Sequence, residues 1–103
     1  MSAPASDDPA KSPGAVTRIL KIVNEKGLHA RASAKFVQLV EKFDARVTVT
    51  RSAESAGGDS IMSLMMLAAG IGMSITVTAT GPQAQDAITA LDALVSSRFG
   101  EDE

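Results

Sequence analysis

The sequence predicts an α+β fold, a two-layer open-faced sandwich with helices on one face of a small, mainly antiparallel sheet. Three observations lead there. Short stretches alternate apolar and polar residues, so one sheet face is buried and the other is wet. Two longer stretches carry apolar residues at helical spacing, which supplies the stripes that cover the buried face. The elements follow one another as β-α-β-β-α-β-α, four strands and three helices, and two packed layers are the simplest way to bury them.

The first strand is predicted over 17 to 23, where Leu20 and Ile22 alternate with Lys21 and Val23. Asn24 to Gly27 is a turn cluster. A helix is predicted over 30 to 42. Phe36, Val37 and Val40 form its apolar face, Lys35, Gln38, Glu41 and Lys42 its polar one, and Phe43-Asp44 ends it. Alternating β-branched residues make Arg46 to Arg51 the clearest strand, followed by a short edge strand within 53 to 58. Asp59-Ser60 offers an N-cap for a helix over 61 to 69, with Ile61, Leu64 and Ala68 facing inward. Gly70 suits the left-handed position that closes such a helix, with Ile71 supplying the closing contact. Ser74 to Thr80 alternates again, placing Ile75, Val77 and Ala79 on one face. Pro82 fits the first helical position of a last helix over 83 to 98, with Ala84, Ala87, Ile88, Leu91, Leu94 and Val95 as its core stripe.

A length of 103 residues implies one domain, and 45% hydrophobic residues suffice for a core. Residues 1 to 15, rich in proline and small or acidic residues, are expected to be a disordered extension. The folded domain is expected over 16 to 100 and an acidic tail over 101 to 103. No signal peptide is visible. The apolar run from Ile61 to Val77 is short of the roughly 18 residues a membrane span needs, and Ser63, Gly70, Gly72 and Ser74 interrupt it. A cytoplasmic monomer with no membrane association is expected. With no cysteine there is neither a disulfide framework nor thiol chemistry. A formal charge of −2 and three aromatic residues, all Phe, leave no basis for stacking or wrapping nucleic acid.

The chemistry centres on the one histidine, His29, in Gly27-Leu28-His29-Ala30-Arg31. It follows a glycine turn and opens a helix, where backbone N–H groups are free and the dipole favours an anion. Arg31 adds a forked donor suited to phosphate oxygens, and the N–H groups of Ala30 and Ala32 are candidate phosphate donors. A lone histidine at a helix end is more often a cap or a surface residue, and an arginine on a helix is more often solvated. Their adjacency at a helix start, after a glycine, brings the phosphate reading level with the bland one. No metal site is expected, because one His, no Cys and no nearby carboxylate cluster cannot supply a ligand set.

With these motifs in hand, the sequence resembles the histidine-containing phosphocarrier (HPr) family of the bacterial phosphotransferase system. The resemblance covers about residues 17 to 99. It rests on Gly27-Leu28-His29-Ala30-Arg31 and on Asp59-Ser60-Ile61-Met62-Ser63-Leu64-Met65, which is similar to the family's regulatory-serine segment. It implies a four-stranded antiparallel sheet covered by three helices. It also implies a phosphoryl group taken on Nδ1 of His29 from a phosphoenolpyruvate-dependent enzyme I and passed to an enzyme IIA domain. Arg31 would stabilise the phosphate, and a dedicated serine kinase/phosphorylase would act on Ser60. Such a carrier is a substrate of phosphotransferases with no turnover of its own, and no cofactor is implied. The sequence departs from the family at Ala32, where proline is common. Alanine keeps an N–H and gives up a rigid helix start. In this it looks like the nitrogen-related branch.

Ser60 reads equally as a helix cap, and both roles are compatible. Met62 and Met65 fall outside the inward face of their helix. With Ala34 and Ile61 they are candidate docking residues, since flexible thioethers fit several partners. Two readings compete with a carrier: a regulatory binder gated by phosphorylation of Ser60, and a small RNA-binding domain, which the charge and aromatic content oppose.

Overall fold

The computed structural model describes residues 15–101. Its elements are β1 (Val16–Lys21), α1 (Ala30–Val40), β2 (Arg46–Arg51), β3 (Glu54–Gly57), α2 (Ile61–Met66), β4 (Ser74–Thr80) and α3 (Ala84–Ser96), followed by a 3₁₀ turn at Arg98–Gly100. The four strands form one sheet in the order β1-β4-β2-β3, and every pair is antiparallel. Three helices cover one face, so the fold is the open-faced sandwich that the alternation implied.

Register explains the core. Leu20 pairs with Ile75, Val47 with Ala79, and Val49 with both Val77 and Ala56. All of these are buried and meet Phe36, Leu64, Ile88, Leu91 and Val95 from the helices. The opposite face is a field of threonines. Thr17 stands beside Thr78, with their hydroxyls 3.2 Å apart, and Thr78 stands beside Thr48. At the edge, Thr50 and Ser55 hydroxyls lie 3.1 Å apart.

Four helix ends differ from expectation, the C-terminal ends of α1 and α2 and both ends of α3, which stops at Ser96 and not at 98; β1 covers Val16–Lys21 and not 17 to 23. Helix α1 stops at Val40 instead of 42, where Lys42 and Phe43 close tight turns on Leu39 and Val40. Helix α2 stops at Met66 instead of 69. The left-handed residue after it is Ala68 (φ 54°), not Gly70, and Ile71 is exposed instead of closing the helix. The early turn lets Leu67 and Ala69 both be buried and puts the Ala69 carbonyl 3.0 Å from the Leu28 N–H. Ala68 is therefore turned outward, and Ile61 is 39% exposed; Leu64 is the buried residue of this helix. Helix α3 starts at Ala84, with Gln83 as its N-cap, so Pro82 lies just outside the helix. Gln83 is held instead by Asp44: its N–H donates to the Asp44 carbonyl (3.0 Å) and its Oε1 accepts from the Asp44 N–H (2.7 Å). Among the described residues no helix is long and apolar enough to cross a membrane. The expected extension over 1 to 15 lies, apart from Ala15, outside the described residues, as do the last two residues of the expected tail.

Candidate functional site

The turn before α1 sets the position of His29. Gly27 is left-handed (φ 64°), and a Cβ there would sit 2.3 Å from the Ala69 carbonyl oxygen, so only glycine fits. Leu28 is buried and bonded to Ala69, which ties the turn to the segment after α2. His29 then occupies the N-cap in an extended conformation. Its backbone carbonyl accepts from Ser33 N–H at 2.9 Å, and its Nδ1 accepts from Arg31 N–H at 3.3 Å. The imidazole thus does the work that Ser, Asp or Asn does at most helix starts. Ser33, buried in the first turn, donates its hydroxyl to the Leu28 carbonyl at 3.2 Å.

The other ring nitrogen has a partner that sequence reasoning missed. His29 Nε2 lies 2.6 Å from Oε2 of Glu101, a residue expected to belong to a solvated acidic tail. The second carboxylate oxygen of Glu101 accepts from Nδ2 of Asn24 at 3.2 Å, and the same Nδ2 donates to the Gly27 carbonyl at 2.9 Å. A carboxylate only accepts and a backbone N–H only donates. Both neighbours of the ring therefore favour one tautomer, with the proton on Nε2 and a lone pair on Nδ1. Asn24 is fully buried, yet the sequence marks it only as the start of a turn. Glu101 reaches the ring because Phe99, fully buried, pins the chain beyond α3 into the core, and Lys35 Nζ donates to the Phe99 carbonyl. A lone phenylalanine before Gly100 was the available signal.

A cleft of about 700 Å³ opens over this arrangement, lined among others by Lys26, His29, Ala30, Arg31, Lys35 and Glu101. Three cationic side chains face it against two carboxylates, those of Glu25 and Glu101. Arg31 and Ala30 are exposed at the helix mouth. Ala32 is fully buried and is not among the residues lining the cleft. Lys26 and Lys35 were not singled out by sequence, since one lies in a turn and the other on a helix face that reads as solvated. Among the described residues no cluster of His, Cys, Asp or Glu is arranged to hold a metal.

Ser60 is the N-cap of α2. Its hydroxyl oxygen accepts from Ser63 N–H at 3.2 Å and lies 3.0 Å from the Ser63 hydroxyl. Helix α2 packs against α1. Outward from it stand Ile61 (39% exposed), Met62 (68%), Met65 (37%) and Met66 (74%), and Ile71 and Met73 beyond it are also exposed. Ala34, on α1, is half-buried.

Comparison with known proteins identifies the family. Residues 16–97 match the family described as "PTS HPr component phosphorylation site". The chain is 50% identical over 82 residues to the phosphocarrier protein HPr of Cupriavidus necator, covering 80% of this chain and 92% of that one. It is 39% identical over 84 residues to the phosphocarrier protein NPr of Shewanella violacea, covering 82% and 92% of the two chains. Its fold superposes on the crystal structure of HPr-C-His from Thermoanaerobacter tengcongensis with a TM-score of 0.81 and 35% identity, over 85% of this chain and 99% of the other. A sandwich of this topology, with its one histidine capping the first helix in a cationic cleft, and relatives this similar along nearly the whole domain, place the chain in the HPr family of phosphocarrier proteins of the bacterial phosphotransferase system.

Proposed function

We propose that His29 is the carrier residue. Its Nδ1 takes a phosphoryl group from enzyme I, charged by phosphoenolpyruvate, and hands it to an enzyme IIA domain. One observation carries this reading: Nδ1 presents a lone pair at the helix mouth beside Arg31 while Nε2 is engaged by Glu101. Phosphoryl transfer needs positioning and charge stabilisation more than covalent help. The Arg31 N–H that now bonds Nδ1 is released when that nitrogen takes phosphorus and can turn to a phosphate oxygen. The guanidinium and the helix dipole add to it, as would the N–H of Ala30, whereas Ala32, buried outside the cleft, is set aside as a phosphate donor. The chain turns nothing over by itself and acts as a cytoplasmic monomer. Incubation with phosphoenolpyruvate and the organism's enzyme I, read by intact mass and site mapping, should add one acid-labile phosphate at His29. The His29→Ala variant should take none; acid-labile phosphate persisting in that variant overturns the assignment. Running the assay with enzyme I of the sugar branch and of the nitrogen-related branch separates those two roles, since both HPr and NPr names occur among the relatives.

The second part of the proposal concerns Ser60. Ile61, Met62 and Met65, with Ala34 on α1, form the surface on which enzyme I and enzyme IIA dock. Ser60 opens the same helix and is the residue on which a serine kinase/phosphorylase would act. A phosphate there is tolerated by the free N–H groups of the helix start and discourages a partner that is itself acidic at that face.

A further inference from the structure

The carrier reading explains Nδ1 and Arg31 but leaves Glu101 and the buried Asn24, on the other side of the ring, without a role. We infer that Glu101, steadied by Asn24, is a positioning residue that holds the Nε2 side of His29 and thereby presents Nδ1 to the incoming phosphoryl group. The inference rests on the carrier reading and adds to it a chain of three side chains, Asn24–Glu101–His29.

The contact is more than a surface ion pair. Oε2 lies 2.6 Å from Nε2, with the side chains of His29 and Glu101 only 27% and 10% exposed. Asn24 is fully buried and spends both of its amide bonds on this arrangement, one to Oε1 of Glu101 and one to the Gly27 carbonyl. Among the described residues its own Oδ1 has no partner. A buried acceptor without a donor is costly. Turning the amide over would not help, because Oδ1 would then face two acceptors. Backbone strain points the same way. Arg98 and Phe99 are both left-handed (φ 60° and 56°), which disfavours residues with a Cβ, and Gly100 follows at 73°. Three consecutive residues in that region turn the chain back from α3 and deliver Glu101 to the ring.

The chemistry benefits in one identifiable way. As Nδ1 attacks, its lone pair forms the N–P bond. The bond from phosphorus to the donor's leaving atom breaks, and that electron pair returns to the donor. Nε2 keeps its proton throughout, so the ring acquires positive charge. The Glu101 carboxylate, already hydrogen-bonded to that proton, faces the charge as it develops. On transfer to the acceptor the same steps run backwards, and the ring returns to the Nε2–H tautomer.

The test uses the full chain with Glu101→Ala and Glu101→Gln. Three quantities are read: the ¹⁵N shifts of the His29 ring, which report tautomer, the rate of phosphoryl transfer from enzyme I, and the melting temperature. In Glu101→Ala the Nε2–H preference should be lost and the rate should fall by about ten- to a hundredfold, the scale of a misplaced reacting group. Glu101→Gln keeps the shape without the charge and should fall between. A wild-type ring signature, or wild-type rates in both variants, overturns the inference. A lowered melting temperature with unchanged rate also overturns it, because Glu101 would then be only a staple for its segment. If enzyme I fails to label even the wild-type chain, the carrier reading is what fails. The ring signature then decides the positioning role alone, loss of the Nε2–H preference sustaining it and retention overturning it.

Discussion

One imidazole caps a helix through Nδ1 and meets a carboxylate through Nε2, so on the proposed carrier reading the nitrogen that takes phosphorus is held by a bond that phosphorylation must replace. Arg31, exposed beside it, has little structural duty. Arg31→Ala should therefore slow transfer by up to roughly a hundredfold, the loss seen when a charge-stabilising donor is removed, while the melting temperature stays within about 2 °C. Stopped transfer assays beside a thermal melt check both halves. Gly27 behaves in the opposite way. Its positive φ and the 2.3 Å approach to the Ala69 oxygen leave no room for a methyl group. Gly27→Ala should cost at least about 2 kcal/mol in a urea melt, because the backbone at both Gly27 and Ala69 must move. The placement of His29 and Arg31 at a helix mouth was legible in the sequence because its signals are local: a glycine, a helix start and a cation within five residues. Asn24 and Glu101 were not, because their meaning arises from a contact between distant parts of the chain.

Elements were read best where a period ran long. The alternation in Arg46–Arg51 and Ser74–Thr80 gave both strands their observed bounds. Helix α2 was read correctly at its start and wrongly at its end, since a single turn of tertiary bonding at Ala69 outweighs the preference of Gly70 for a helix terminus. The 3₁₀ turn at Arg98–Gly100 had no pattern to read, because one buried phenylalanine sets it. The cap of α2 makes a separable prediction. Ser60→Ala removes the acceptor of the Ser63 N–H and should destabilise the domain by about 1 kcal/mol in a denaturant melt. Ser60→Asp restores an acceptor and adds charge that the helix start favours by roughly 0.3–1 kcal/mol. It should keep stability while weakening docking of enzyme I. Aspartate carries one charge against nearly two for phosphate, so it should understate the effect of phosphorylation. Loss of both stability and transfer would make Ser60 a cap alone, and no change in either would place it outside the docking surface.

At the scale of the molecule, the buried face of the sheet and the helical stripes carried the fold class from sequence to structure. What escaped was that the chain beyond 100 folds back onto the domain, where Glu101 meets His29. At the other end, the β1 pairing begins at Val16, opposite Ala79. Residues 1 to 15 should then be dispensable, and deleting them should leave the melting temperature within a few degrees, about the shift that 1 kcal/mol produces in a domain of this size. The strand order β1-β4-β2-β3 bears on how the protein comes into being. Val16–Lys21 is made before the other strands, yet among the described residues its only partner in the sheet is Ser74–Thr80. On the ribosome the early strand must wait, its apolar side uncovered, while most of the domain is synthesised and threaded through the exit tunnel. Nascent chains halted before Ser74 should remain protease-sensitive and bound by chaperones, and those extended well past Glu101 should become resistant in a single step. Birth of the fold is in this sense an event late in translation, and the His29 ring, though encoded near the beginning, gains its surroundings only then.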